Sequence, residues 1–264
     1  MLPTVNATRQ GLVAGFGAYL MWGLFPLYWK QLVPTPAPEI LGHRVVWSLV
    51  LLLIILGAHR NFRWVQTLTQ PKTAASLAIA SVLLSINWVM FIWAVNANFI
   101  VETSLGYFIN PLVNVLFGRL FFGERLRPVQ AFAIFLAFSG VVYLSVGYGR
   151  LPWIALTLAF TFGAYGVLKK RTPLGSTESL AFETAMVFPL ALAYLIWLQF
   201  TGAGAFINDG LGFSVLLSTT GIATAVPLLC FTYGAQRLTL TTMGILQYIA
   251  PTLIFLVAIF AFDE

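Results

Sequence analysis

The charged candidates are His43, Arg44 and Glu183, each inside a long apolar run of the sequence. A charge within hydrocarbon is costly, so such residues mark substrate or ion pathways, proton relays or buried pairs. Glu183 is a carboxylate well inside its run, placed either to carry a proton or, as a helix-end group, to reach back to water. His43 stands one helical turn from Trp47 and shares its face, which suits a coupling group or a satisfied interhelical histidine. Arg44 and Glu183 each lie about five residues inside the start of their run. They are expected to act as gates near opposite faces rather than as a direct ion pair.

A second set is neutral. Tyr107, Asn110 and Asn114 occupy positions i, i+3 and i+7, with Pro111 among them. They share one helix face at a point where proline leaves a carbonyl without its donor. Such a stripe either presents acceptors to a ligand or ties neighbouring helices together. Gln247 and Tyr248 beside Pro251 repeat the arrangement. Asn87 and Phe91 are one turn apart with Trp88 alongside, and Tyr233 follows Pro227 in a later run that also holds Thr224. The expected substrate cavity is therefore lined by Asn87, Trp88, Phe91, Tyr107, Asn110, Asn114, Tyr233, Gln247 and Tyr248. Helix breaks are expected at Pro26, Pro111, Pro227 and Pro251.

Membrane helices must position these residues. Apolar residues make up 59% of the chain, and Asp, Glu, Lys and Arg together only 8%. Soluble domains carry roughly 25% charged residues, so most of this surface faces lipid. A span needs about 20 mainly apolar residues. Nine stretches qualify: 11–32, 39–57, 74–95, 99–121, 128–147, 152–168, 178–199, 212–236 and 240–262. None shows the alternation of an outer-membrane barrel strand, and the expected fold class is an all-α membrane protein. The first run is longer than a signal-peptide core, lacks a small-residue cleavage pattern, and reads as a retained span. Cys230 is the single cysteine, which leaves no intrachain disulfide and no cysteine metal site. The net charge of +6 sits in short loops, so no nucleic-acid partner, metal or cofactor is expected.

With the N-terminus inside, the cytoplasmic ends collect Arg9, Arg60, Arg63, Lys72, Arg119, Arg125, Arg127, Lys169, Lys170, Arg171 and Arg237, while the outside keeps Lys30, Arg44 and Arg150. A bias of this kind sets topology. A displacement of 140 residues lays Trp22-Gly23 on Phe162-Gly163, Lys30 on Lys170, Leu105–Pro111 on Ile245–Pro251 and Phe122-Gly123-Glu124 on Phe262-Asp263-Glu264. One constant offset at distant points predicts two repeats, 1–147 and 148–264. An odd number of spans per unit inverts the second copy, the plan of many secondary transporters. After Glu124 the first unit continues into a fifth span. The sequence stops at Glu264, so a tenth helix is expected to be missing from this chain.

The strings LGYFINP (Leu105–Pro111), GER (Gly123–Arg125), RVVWS (Arg44–Ser48), NW (Asn87-Trp88), IWAVN (Ile92–Asn96), PLLCF (Pro227–Phe231) and QYIAP (Gln247–Pro251) resemble the RarD branch of the EamA-type drug/metabolite transporter superfamily. The resemblance covers about Arg9 to Glu264. It implies ten helices with both ends inside, forming a basket around a central cavity, with the fifth and tenth helices peripheral. The expected function is a secondary transporter in the inner membrane, moving small metabolites or amphiphilic drugs by alternating access as an exporter. Membrane lipid and a small-molecule substrate are the expected partners, with a homodimer and proton coupling open. No GxxxxGK[ST] loop occurs, so ATP is not the direct energy source. The competing readings are a membrane enzyme acting on a lipid-linked substrate, which would want clustered acids or histidines at one interface, and a passive channel or scaffold.

Overall fold

A computed structural model describes residues 5–33, 35–59, 65, 70–97, 99–149 and 151–262. Arg60, Arg63, Arg150, Asp263 and Glu264, used above for the charge bias and the repeat, lie outside the described residues. The helices are α1 (Val5–Trp29), which continues into a 3-10 turn (Lys30–Leu32), α2 (Ala37–His59), α3 (Pro71–Asn96), α4 (Ile100–Phe122), α5 (Pro128–Tyr148), α6 (Trp153–Arg171), α7 (Ser176–Phe200), α8 (Leu211–Ala235), α9 (Leu240–Gln247) and α10 (Ile249–Phe262), with a short helical turn at Ala205–Asn208 between α7 and α8. Pro71 and Pro128 open α3 and α5, where a missing N–H leaves no hydrogen bond unmade.

Among the described residues, eight helical segments are long and apolar enough to cross a membrane, against nine expected. The exception is α6. At 19 residues it spans roughly 28 Å, but it ends in Lys169-Lys170-Arg171 and so dilutes its own apolarity. The last segment is one span by length, Leu240–Ala261, yet it is divided into α9 and α10 by a turn at Tyr248. Of the four prolines expected to break helices, only Pro251 adjoins an interruption. α1, α4 and α8 run through Pro26, Pro111 and Pro227. A single proline removes one ladder bond, and in lipid the remaining backbone groups have no better partner than the helix itself.

The packing sets the first helix against the last. α4 packs along α6, α8 along α2, α2 along α7, α1 along α8 and α10, α3 along α6 and α7, and α9 along α4. α5 touches only α4 substantially and has none of its apolar window buried. It is a peripheral helix. The α2–α8 crossing is closest at Gly221, where a Cβ would stand 2.3 Å from the carbonyl carbon of Trp47. Only glycine admits that approach. The centre is aromatic: Tyr19 and Trp22 of α1, Phe162 and Tyr165 of α6 and Phe231 of α8 meet with ring centroids 5.1–6.3 Å apart.

Candidate functional site

Arg44 lies seven residues beyond the first residue of α2, about 10 Å along the helix. Its Nε donates to Thr224 Oγ1 of α8 at 2.9 Å. Its Cζ stands over two indole rings, 5.1 Å from the centroids of both Trp29, at the end of α1, and Trp88 of α3. Both distances are within cation–π range. Tyr28 and Tyr107 stand near the guanidinium. Tyr28 is fixed by Thr219 Oγ1 at 2.8 Å and the Leu216 carbonyl at 3.0 Å, and Tyr107 meets Phe91 edge-on at 6.1 Å. Among the described residues no carboxylate pairs with Arg44 and nothing accepts from its Nη atoms. Arg44 itself is half-buried.

A second charged group is built at the junction of α6 and α7. Lys169 Nζ is 2.8 Å from Glu183 Oε1, with the two side chains 0% and 1% exposed. Lys169 also donates to Ser179 Oγ at 2.7 Å, and Tyr165 donates to Glu183 Oε2 at 3.2 Å. Ser81 of α3 donates to the backbone carbonyl of Glu183 at 2.9 Å. Full pairing of this kind is what lets two charges stay buried. The local cause is spacing: Tyr165 and Lys169 are one turn apart on α6, and Ser179 and Glu183 one turn apart on α7. Each helix therefore presents a polar pair to the other.

A third group lies under the turn Ala205–Asn208. Glu39 Oε1 accepts from the Ala205 N–H at 2.7 Å, and His43 stacks on Phe206 at 4.8 Å. His43 Nε2 is 3.9 Å from Glu39 Oε1. Neither imidazole nitrogen has a hydrogen-bond partner among the described residues, nor do Glu39 Oε2 and Trp47 Nε1. His43 is buried without being satisfied.

The neutral residues separate into distinct places. Phe91, Trp88 and Tyr107 join the Arg44 group. Asn87 donates to the Leu158 carbonyl at 2.8 Å and to Thr161 Oγ1 at 2.9 Å, which ties α3 to α6. Asn114 donates to Asn110 Oδ1 at 3.3 Å and Gln247 Oε1 at 3.0 Å, and the three buried amides bind α4 to α9. Tyr248 points its hydroxyl at the Phe108 carbonyl, 3.5 Å away. Tyr233 donates to Gln10 at 2.9 Å and stacks with Arg237, lining an open cleft with Asn6, Arg9 and Val13. It is apart from Arg44.

Sequence reasoning missed Trp29, Lys169, Tyr165 and Ser179. The last three were detectable as the i, i+4 pairs just described, but Lys169 had been counted as a loop charge with Lys170 and Arg171. Lys170 itself is 3.6 Å from Glu124 and donates to the Leu238 carbonyl, so it is a structural contact rather than a side chain reaching for water. Glu124 in turn accepts from Leu240 N at 2.8 Å and from Thr241 N and Oγ1 at 2.9 Å each, capping α9.

Helices of membrane length around a cation, an aromatic centre and a buried ion pair define a multi-pass, all-α membrane protein of transporter type. Residues 9–146 match the model of the EamA-like transporter family, and the chain belongs to that family, among the RarD members of the drug/metabolite transporter superfamily. It is 48% identical to a protein RarD of Streptomyces exfoliatus, over 98% of this chain and 82% of that one. It is 46% identical to the uncharacterized transporter YojE of Bacillus subtilis, over 97% and 87%, and 42% identical to protein RarD of Escherichia coli, over 97% and 87%. A solved crystal structure at 20% identity superposes with a TM-score of 0.73, covering 97% of this chain and 89% of that one. That likeness concerns the fold.

Proposed function

We propose that the chain is a secondary transporter that moves small metabolites or amphiphilic drugs outward across the inner membrane by alternating access, with its N-terminus in the cytoplasm. The observation that carries this reading is the pair of charged groups on α2 and α7. Arg44 and Glu183 are each seven residues beyond the first residue of their helix, and the two helices pack together. Counting spans from the N-terminus, α2 enters from outside and α7 from inside. The two groups therefore lie about 10 Å from opposite faces, with the Tyr19–Trp22–Phe162–Tyr165–Phe231 layer between them. Tyr165 belongs to both the layer and the Glu183 group, so movement of one is felt by the other. In this reading Lys169–Glu183 closes the inner side, and separation of the pair frees a carboxylate that takes a proton.

The exchange would rest on two inverted units, 1–147 and 148–264, and contacts repeated at a displacement of 140 residues support that division. A Cβ on Gly23 would stand 2.7 Å from Leu253, and a Cβ on Gly163 would stand 2.7 Å from Val113; each residue of one contact is 140 from its counterpart in the other. Trp22 meets Phe162 at 5.9 Å and Tyr248 faces Phe108, and both pairs are again 140 apart. His43 and Glu39 correspond in the same way to Glu183 and Ser179. Contacts between counterparts are what a two-fold axis in the membrane plane produces.

The test is flux in proteoliposomes with and without an imposed proton gradient. Substrate efflux accelerated by the gradient, and lost in Glu183→Gln, is expected. Gradient-insensitive leakage that survives Glu183→Gln indicates a channel and ends the alternating-access reading.

A further inference from the structure

We infer that the Arg44 group is the subsite for one carboxylate of an organic monoanion whose apolar or aromatic body lies against Trp29, Trp88, Phe91 and Tyr107. This rests on the transport reading above and assigns its substrate class.

The argument begins with the charge. A guanidinium stays protonated, and within a membrane protein it needs a counter-charge or full hydrogen bonding. Thr224 takes one N–H, that of Nε. The four Nη hydrogens find no acceptor among the described residues, and the side chain is half-buried rather than sealed. Contrast Lys169, which has both a carboxylate and a hydroxyl. One cation is sealed with its anion. The other has no anion among the described residues.

Geometry then narrows the anion. Trp29 and Trp88 hold the guanidinium over their ring faces, so approach is along the edge of its plane. With Nε engaged, the edge that remains is the pair of Nη groups. Two parallel donors match the two oxygens of a carboxylate. Among the described residues the group contains one fixed positive charge, and Thr224, Thr219, Tyr28 and Tyr107 complete its polar set. A monoanion balances that charge, whereas a phosphate monoester at neutral pH leaves an excess negative charge in low dielectric. The half-buried rings of Trp29, Trp88 and Phe91 and the 38% exposed Tyr107 supply apolar surface for the rest of the molecule.

The experiment uses the full chain in nanodiscs, with indole fluorescence quenching as the binding readout. The probes are 1-naphthoate, 3-(4-nitrophenyl)propionate, 1-naphthamide and 1-naphthyl phosphate. Saturable quenching by the carboxylates is expected, with 1-naphthamide weaker by on the order of 10- to 100-fold, the value of hydrogen bonds to a charged group. Arg44→Gln should weaken the carboxylates by a similar factor and leave the amide unchanged. Arg44→Lys, which keeps the charge without the fork, should fall between them. Trp197, which lies away from the group on α7, is replaced by Phe in all proteins to lower background. Equal binding of naphthoate and naphthamide, no quenching by either carboxylate, or preference for 1-naphthyl phosphate overturns the inference. Counterflow in liposomes separates it from the transport reading. If neutral amides cross while carboxylates neither bind nor cross, transport stands and the anion subsite falls. If carboxylates bind through Arg44 but nothing in the panel crosses, the subsite stands and transport falls.

Discussion

Replacing Lys169 by Met removes the strongest partner of a carboxylate that is 2% exposed. Glu183 would keep only the Tyr165 hydroxyl at 3.2 Å. Breaking a buried pair by removing one member costs roughly 3–5 kcal/mol, because the other charge is stranded. Glu183→Met strands Lys169 in the same way, with Ser179 as its remaining acceptor. The double replacement strands nothing. Met matches the length of Lys and fills the space of Glu, so the loss shrinks to the two hydrogen bonds made by Tyr165 and Ser179, about 1 kcal/mol each. The single changes would sum to about 6 kcal/mol or more on the same scale, against about 2 kcal/mol for the double. The expected coupling energy is therefore about 4 kcal/mol, several times the ~0.5 kcal/mol scatter of independent sites. Equilibrium unfolding of the four proteins in mixed micelles, titrated with a denaturing detergent at one pH, measures it. Additive single changes would refute the reasoning, since they mean the pair is hydrated and each ion finds water without the other.

Three further outcomes follow from particular contacts. Gly221→Ala places a methyl 2.3 Å from the Trp47 backbone and should cost about 1–3 kcal/mol through forced separation of α2 and α8; Gly17→Ala, with nothing within 4 Å, should be neutral or stabilising by up to ~1 kcal/mol, and thermal unfolding compares them. Glu124→Ala uncaps α9, removing three accepted hydrogen bonds and the Lys170 contact; a loss of about 1–2 kcal/mol and faster hydrogen exchange at Leu240 and Thr241 are expected. Asn114→Leu unties α4 from α9 and leaves the buried Gln247 without its donor, a change of about 1–2 kcal/mol in a membrane setting, and Gln247→Leu in the same background should recover part of it.

Class and span placement were legible in the residues alone. Apolar runs matched to bilayer thickness are a one-dimensional signal, and the runs carrying His43, Arg44, Tyr107 and Glu183 all form helices close to the expected bounds. Arg44 and Glu183 have different partners, Thr224 and Lys169. Partners were not legible. Lys169, Lys170 and Arg171 are neighbours in sequence, yet they face Glu183, Glu124 and the rings of Phe121 and Phe122 respectively. Each step of about 100° turns the next side chain toward a different helix. Which helix stands there depends on rotation and tilt, and these are set by contacts such as Gly221 on Trp47 and Gly163 on Val113. In a soluble helix the polar face would reveal the rotation. Here the lipid-facing and core-facing sides are both apolar, so the pattern that marks a buried face is erased. The same holds for Asn87, whose sequence context fits either a cavity or a tie between helices and whose amide donates to the α6 backbone. The sequence by itself determined that this chain lives in a membrane, because apolar runs of bilayer length leave it no other solvent; only the tertiary packing decided that one cation, Lys169, is sealed by a carboxylate while another, Arg44, meets a threonine and two indole rings.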